Sequence, residues 1–175
     1  MRSWLGPLAL GLLVAGATAW IAIWAIPYGL MTVAIDRLGQ GGINTMSYGR
    51  LATPERQPVV RPSPDLAYSS CPYDLAAGPV AIDVTPVPGR YTSLSIFDAA
   101  TDVIFVRNDI EAGGKPFRII VARTDQPVPS GTDVVRTDHD RGIALIRLLL
   151  KDPSEIGELD AIRRQSSCAT VTKLK

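Results

Sequence analysis

Few side chains in this 175-residue chain have types suited to chemistry, and they are scattered. The two cysteines, Cys71 and Cys168, could supply a nucleophile, a soft metal ligand or a covalent staple. The single imidazole, His139, stands between two carboxylates in Asp138-His139-Asp140. A thiol nucleophile needs a base within reach to take its proton, and no local pattern ties His139 to Cys71. A zinc site needs a clustered set of His, Cys or acidic ligands, which one imidazole and two distant thiols do not make. The sequence also lacks a glycine-rich phosphate loop, a nucleophile elbow and a zinc motif. No metal ion and no other cofactor is therefore expected, and the enzyme reading is disfavoured.

Four residues form the best ligand-binding set on offer: Asp65, Tyr68, Arg90 and Asp98. Arg90 with Asp98 or Asp102 could contact an anion or a sugar, and Tyr68, Tyr73, Tyr91 and Phe97 could make a stacking face. Each has a structural reading beside it. Pro64-Asp65 makes a turn whose carboxylate accepts backbone N–H groups. Arg90 braces a strand end through an ion pair. The aromatic residues fill a core equally well. Asn108-Asp109 offers two oxygen donors to a hard cation but also has the composition of a turn, and Asp138-His139-Asp140 reads as a solvated hairpin tip.

The elements that must carry these residues begin with an apolar helix. From Ser3 to Ile35 there is no Asp, Glu, Lys or Arg, enough for a bilayer-spanning helix. Trp4 and Trp24 are separated by ~30 Å of helix, the thickness of a hydrocarbon core, and with Trp20 and Tyr28 they sit where aromatic belts form. Small-x-small sites at Ala15-Gly16-Ala17 and Ala17-Thr18-Ala19 raise the alternative of a cleaved signal. Cleavage there would leave WIAIWAIPYGLM as a new N-terminus, so an uncleaved anchor is preferred. Arg2 precedes the span and Asp36 cancels Arg37 after it, which places the N-terminus in the cytoplasm and the rest outside. Gly11, Ala15 and Ala19 recur every four residues, a spacing that admits a close partner helix. Setting Arg2 aside leaves 17 basic against 17 acidic residues. Such a balance has no phosphate-seeking footprint, so nucleic acid is not an expected partner.

The chain divides into an anchor over residues 1–35, a stem or wrapping segment over 36–65 and a β-rich domain over 66–175. The stem carries glycines and then prolines at positions 54, 58, 62 and 64. Beyond it LAYSSC, VAIDV, YTSLSIF, VIFVR, FRIIVA, DVVRT and GIALIRLLL are short β-branched and aromatic runs split by turn residues. Gly113-Gly114 supplies positive φ for a hairpin-type connection, and Asp138 to Gly142 does the same further on. Seven such runs predict a mainly β fold, a sandwich-like sheet pair. In KDPSEIGELDAIRRQ, Asp152 caps a short helix, Pro153 takes its first position and Glu155 completes a capping box. Ile156, Leu159 and Ile162 line its buried face, and Arg163 and Arg164 fall in its last turn. An even pair of cysteines in an extracytoplasmic domain favours a Cys71–Cys168 disulfide. Closing a loop of roughly 100 residues stabilises by about 4–5 kcal/mol on the chain-entropy model.

Three stretches also carry a resemblance. Val59, Val60, Pro62, Asp65, Tyr68 and Ser69 follow a VxPNxDTLYS-like pattern. Asp74, Leu75, Gly78, Pro79 and Val80 follow DLxxGPV, and Arg90, Tyr91, Ser93, Leu94 and Asp98 follow RYxSLxxxD. In this order they resemble the domain-of-unknown-function family 1254, and a short, membrane-anchored branch of it with cysteines placed like Cys71 and Cys168. The resemblance implies a β-sandwich-like domain and no settled activity. Ser63-Pro64-Asp65-Leu66 stands where long members have Asn-x-Asp-Thr, and the companion domain of long members has no counterpart. The resulting expectation is a single-pass inner-membrane protein in contact with the lipid bilayer, whose periplasmic β-domain is a binding or accessory module. Two other readings stand beside it: an envelope enzyme acting on a saccharide or small ligand, and a subunit of a membrane complex whose partner carries the companion domain.

Overall fold

With no charge between Ser3 and Ile35 to interrupt it, the apolar N-terminal stretch forms one helix, α1, Leu5–Leu38, of 34 residues. The structure, a computed structural model, describes residues 4–53 and 62–171. Arg2, Ser3, the prolines at 54 and 58, Val59 and Val60, named above, lie outside the described residues. At ~1.5 Å per residue α1 is ~51 Å long, some 20 Å more than a hydrocarbon core requires. It is long and apolar enough to cross a membrane. Its first six turns are largely exposed, whereas Met31 and Ile35 are buried against Ile143, with Ala34, Leu38 and Phe97 packed around them. The 31, 34, 35, 38 spacing is one helical face. Helix therefore continues past residue 35, and its last turns are a packed element of the domain.

The segment after α1 is also fixed. Asn44, at φ 56°, donates its backbone N–H to Pro72 O at 2.9 Å. Its side-chain amide donates to Asp74 O and accepts from Asp74 N–H at 2.7 Å. A two-residue strand, β1, Ser47–Tyr48, then pairs antiparallel with β2, Leu66–Asp74. Two residues are too few for an alternating pattern, so sequence reading sees only a stem there.

The seven β runs all form strands. After β2 come β3, Val80–Val84; β4, Thr92–Asp98; β5, Val103–Asn108; β6, Phe117–Arg123; β7, Asp133–Thr137; and β8, Arg141–Leu149. A last strand, β9, Ser167–Thr170, carries Cys168. They make a five-stranded sheet in the order β1-β2-β8-β4-β5 and a four-stranded sheet in the order β7-β6-β3-β9. Their inner faces meet in one core, where Cys71, Tyr73, Leu94, Ile96, Ala144 and Ile146 face Val80, Ile82, Val84, Ile119, Val121 and Cys168. This is the predicted mainly β sandwich. The Cys71–Cys168 disulfide joins β2 of one sheet to β9 of the other, with Cα atoms 6.3 Å apart.

Two expected hairpins are corrected. Gly113 and Gly114 do have positive φ, 61° and 69°, but the strands they join lie in different sheets. Residues 138 to 142 likewise carry the chain from β7 in one sheet to β8 in the other, and β7 pairs with β6 in parallel. Asp138-His139-Asp140 is thus a sheet-to-sheet corner. Turn chemistry supplies the reversal in either case, and the choice of pairing partner is made by long-range burial.

The helix α2, Ile156–Arg163, follows a 3₁₀ turn at Pro153–Glu155. Asp152 Oδ1 accepts the Ser154 N–H at 2.8 Å, as a cap should. The Glu155 carboxylate accepts the N–H of Lys151 at 3.0 Å, is also bonded by the backbone of Asp152 as a capping box requires, and pairs with Arg90 at 2.6 Å. Ile156, Leu159 and Ile162 pack on Ala67, Val87, Leu148 and Leu150.

Candidate functional site

The outer face of the five-stranded sheet is built by alternation. Residues of β2, β8 and β4 that point away from the core fall side by side, Ser70 beside Leu145 beside Ser95 and Pro72 beside Ile143 beside Phe97. The end of α1 lies over this surface but does not fill it, because Ser70, Ala34, Gly49 and Ala52 are small. The space left between helix and sheet is a cavity of about 550 Å³, a size usual for small-molecule sites. Leu30, Met31, Ala34 and Leu38 form the helix wall, Tyr68, Ser70, Phe97, Ile143 and Leu145 the sheet wall, and Ser47, Gly49, Arg50, Ala52 and Pro62 a third side. Arg37, Gln40, Arg50 and Thr101 line it while remaining exposed, as do Leu30 and Gly49, so the cavity is open to the outside at these residues. Among the described residues neither Arg37 nor Arg50 makes an ion pair.

A buried arginine braces the third side. Arg163, at the end of α2, is 5% exposed and donates to Gly49 O and Tyr68 O at 3.0 and 3.1 Å while pairing with Asp160. Burial raises the Asp160 pKa, but hydrogen bonds and charge from Arg164 and Arg163 outweigh it and hold the carboxyl below its ordinary value. Sequence reading gave Arg163 only a helix-dipole role. The signal for more was its place one residue after Ile162, at the edge of the apolar face.

A second polar cluster holds the bottom of the helix–sheet junction. Asp98 is buried, and its Oδ1 accepts N–H groups of Ala100 and Asp102 at 2.9 and 3.0 Å, closing the β4–β5 turn. His139 Nε2 stands 3.7 Å from Asp98 Oδ2, and the His139 ring meets Tyr28 of α1 edge-on. The Tyr73 hydroxyl donates to Phe97 O at 2.9 Å. Its pKa is raised by burial first and by the Asp98 charge second, so it stays a donor. Gly142 makes this possible, since a Cβ there would overlap both the Phe97 carbonyl and the Tyr73 hydroxyl.

The structure does not gather Asp65, Tyr68, Arg90 and Asp98 into one site. Only Tyr68 lines the cavity, with its hydroxyl accepting the Ser63 N–H at 3.0 Å. Asp65 is exposed and its carbonyl accepts Leu150 N–H. Arg90 is an ion-pair brace, but to Glu155 and not to Asp98 or Asp102. A whole strand, β4, separates Arg90 from Asp98. Motif neighbours in the chain end up at opposite ends of a strand because an extended chain advances ~3.3 Å per residue. Gly11, Ala15 and Ala19 lie on the exposed part of α1. Among the described residues no group of three or more His, Cys, Asp or Glu is placed to hold a metal ion.

The fold and site define a disulfide-closed β-sandwich with a long apolar N-terminal helix docked on one sheet over an apolar cavity. The chain belongs to the family described as protein of unknown function DUF1254, whose model matches residues 43–170. The crystal structure of a Vibrio parahaemolyticus protein is similar, with a TM-score of 0.63 and 18% identity over 86% of this chain and 36% of that one. At that identity the likeness shows the fold alone. A putative uncharacterized protein from Burkholderia cenocepacia aligns at a TM-score of 0.47 and 17% identity over 63% of this chain and 32% of that one. The chain thus spans about a third of the length of either. No curated protein matches.

Proposed function

We propose that this protein is a binding module of the cell envelope, a membrane-anchored member of its family. Its N-terminus is cytoplasmic and α1 crosses the inner membrane. The β-sandwich lies on the periplasmic side, with the cavity between the end of α1 and the sheet as its ligand site. The observation that carries the reading is that cavity, placed where a helix apolar enough to cross a bilayer meets the domain. The disulfide supports an oxidising compartment for the domain, and Arg2 before the span supports the orientation. The dispersal of Asp65, Arg90 and Asp98 weighs against the envelope-enzyme reading, which needs them in one pocket.

A cysteine placed at the cavity mouth tests both parts. In Gln40→Cys, a membrane-impermeant thiol reagent should label intact spheroplasts. Labelling only after lysis would overturn the orientation. The same position carrying an environment-sensitive fluorophore should change emission when an organic extract of the cell envelope is added to the purified chain. An unchanged spectrum with folded protein would overturn the binding reading.

A further inference from the structure

Resting on that reading, we infer that the cavity holds an acyl chain of an anionic glycerophospholipid taken from the outer leaflet, with its phosphate between Arg37 and Arg50.

The polarity of the cavity runs in one direction along α1. Leu30, Met31 and Ala34 line the part nearest the apolar span, and Arg37 and Gln40 line the part farthest from it. Leu30 is six residues past Trp24, ~9 Å along the helix, and Arg37 is thirteen past it, ~20 Å. If Trp24 marks the edge of the hydrocarbon, the apolar end begins in the headgroup zone and the basic end lies beyond it. An outer-leaflet lipid has the same order, chain toward the bilayer and charge away from it. It could enter by sliding outward along α1 without turning over.

The lining matches such a molecule at both ends. The apolar walls come from α1 and from Phe97, Ile143 and Leu145 of the sheet, and a volume of about 550 Å³ suits a single flexible chain better than a folded peptide. At the mouth, Arg37 and Arg50 come from different segments and make no ion pair among the described residues. A guanidinium matches phosphate oxygens in a two-pronged fork. Asp36, next to Arg37, is not part of the lining. A neutral sugar would leave both charges without a counterpart. A partner helix would need an open groove along α1, but Met31 and Ile35 already close that face on Ile143.

The test uses the full chain in mild detergent, incubated with equal amounts of phosphatidylglycerol and phosphatidylcholine of identical chains and read by native mass spectrometry. One bound phosphatidylglycerol per chain is expected, preferred by about 30-fold if each arginine contributes what a basic residue does near an anionic membrane. Arg37→Gln with Arg50→Gln should abolish the preference while leaving some binding. Leu145→Trp, which fills the cavity from the sheet side, and Ala34→Phe, which fills it from the helix side, should each abolish retention of either lipid. Two routes to the same loss guard against one variant failing to fold. Equal retention of the two lipids by the wild type, or adducts that survive in both cavity-filled variants, would overturn the inference. No lipid retention alongside a fluorescence response of labelled Gln40→Cys to envelope extract would overturn the lipid assignment and leave the binding module standing.

Discussion

The Tyr28 ring of α1 meets the His139 imidazole edge-on, with centroids 5.7 Å apart. One ring belongs to the apolar helix and the other to the corner between the two sheets, so this contact is one clamp on the helix–sheet junction. Met31 and Ile35 against Ile143 are the other. Aromatic pairs of this kind contribute about 0.5–1.5 kcal/mol. His139→Ala should therefore loosen the end of α1 by that amount. Hydrogen exchange should speed up at the amides of residues 31 to 38 while protection in β6 and β8 stays unchanged.

The disulfide ties the two sheets together, and both its cysteines are buried. Cys71→Ala should cost about 2–5 kcal/mol, and Cys168→Ala a similar amount, because each removes the same covalent link. The double variant should be no less stable than the worse single one. Urea unfolding midpoints of the three variants, with and without reductant, check this, and reductant should shift only the wild type.

Arg163 is fixed by two carbonyls and a carboxylate while buried. Arg163→Ala removes the side-chain donor from Gly49 O and Tyr68 O, of which Tyr68 O keeps the Gly49 N–H, leaves Asp160 without its buried partner, and should cost about 1–3 kcal/mol. Arg163→Lys should not restore it, since an ammonium cannot reach three acceptors in the planar fork geometry. Because those carbonyls flank the third side of the cavity, Arg163→Ala should also weaken ligand retention. Thermal unfolding and the lipid-binding measurement read the two effects separately.

Acid stability follows from Glu155. Hydrogen bonds from Arg90 and Lys151 hold its carboxyl below its ordinary value, and Asp152, bonded by Ser154, moves the same way. A carboxyl lowered on folding stabilises the native state above its unfolded pKa of ~4.3 for Glu. That contribution is lost as pH falls through the folded value. Melting temperature should thus be flat near neutrality and drop below about pH 4.5. Glu155→Gln should melt lower at pH 7 and show a shallower acid drop.

How much of this was legible depends on whether the signal is local. The strands from Leu66–Asp74 to Arg141–Leu149 announce themselves by short apolar runs, and Asp152-Pro153 marks its helix start. The disulfide follows from cysteine number and compartment. The turns at Gly113-Gly114 and at residues 138 to 142 read as hairpins in the sequence because a reversal looks the same whether the next strand pairs or crosses sheets. Asp65, Arg90 and Asp98 suggested a site because motifs bring residues together in the chain, whereas the fold spreads them along a strand. The cavity was invisible for a different reason. Its lining is made of ordinary apolar residues on α1, β2, β4 and β8, and its existence depends on small side chains at Ala34, Ser70 and Gly49 that leave space without announcing it.

The most direct measurement of the central claim is photo-crosslinking in the native membrane with a small diazirine amino acid at position 145, in place of Leu145. A control carries it at position 110, in place of Ile110, which is 79% exposed and outside the cavity. The account predicts that irradiation adds the mass of one lipid to the chain probed at 145 and nothing to the chain probed at 110. An unmodified chain at 145, a protein-sized adduct there, or equal lipid adducts at both positions would contradict it.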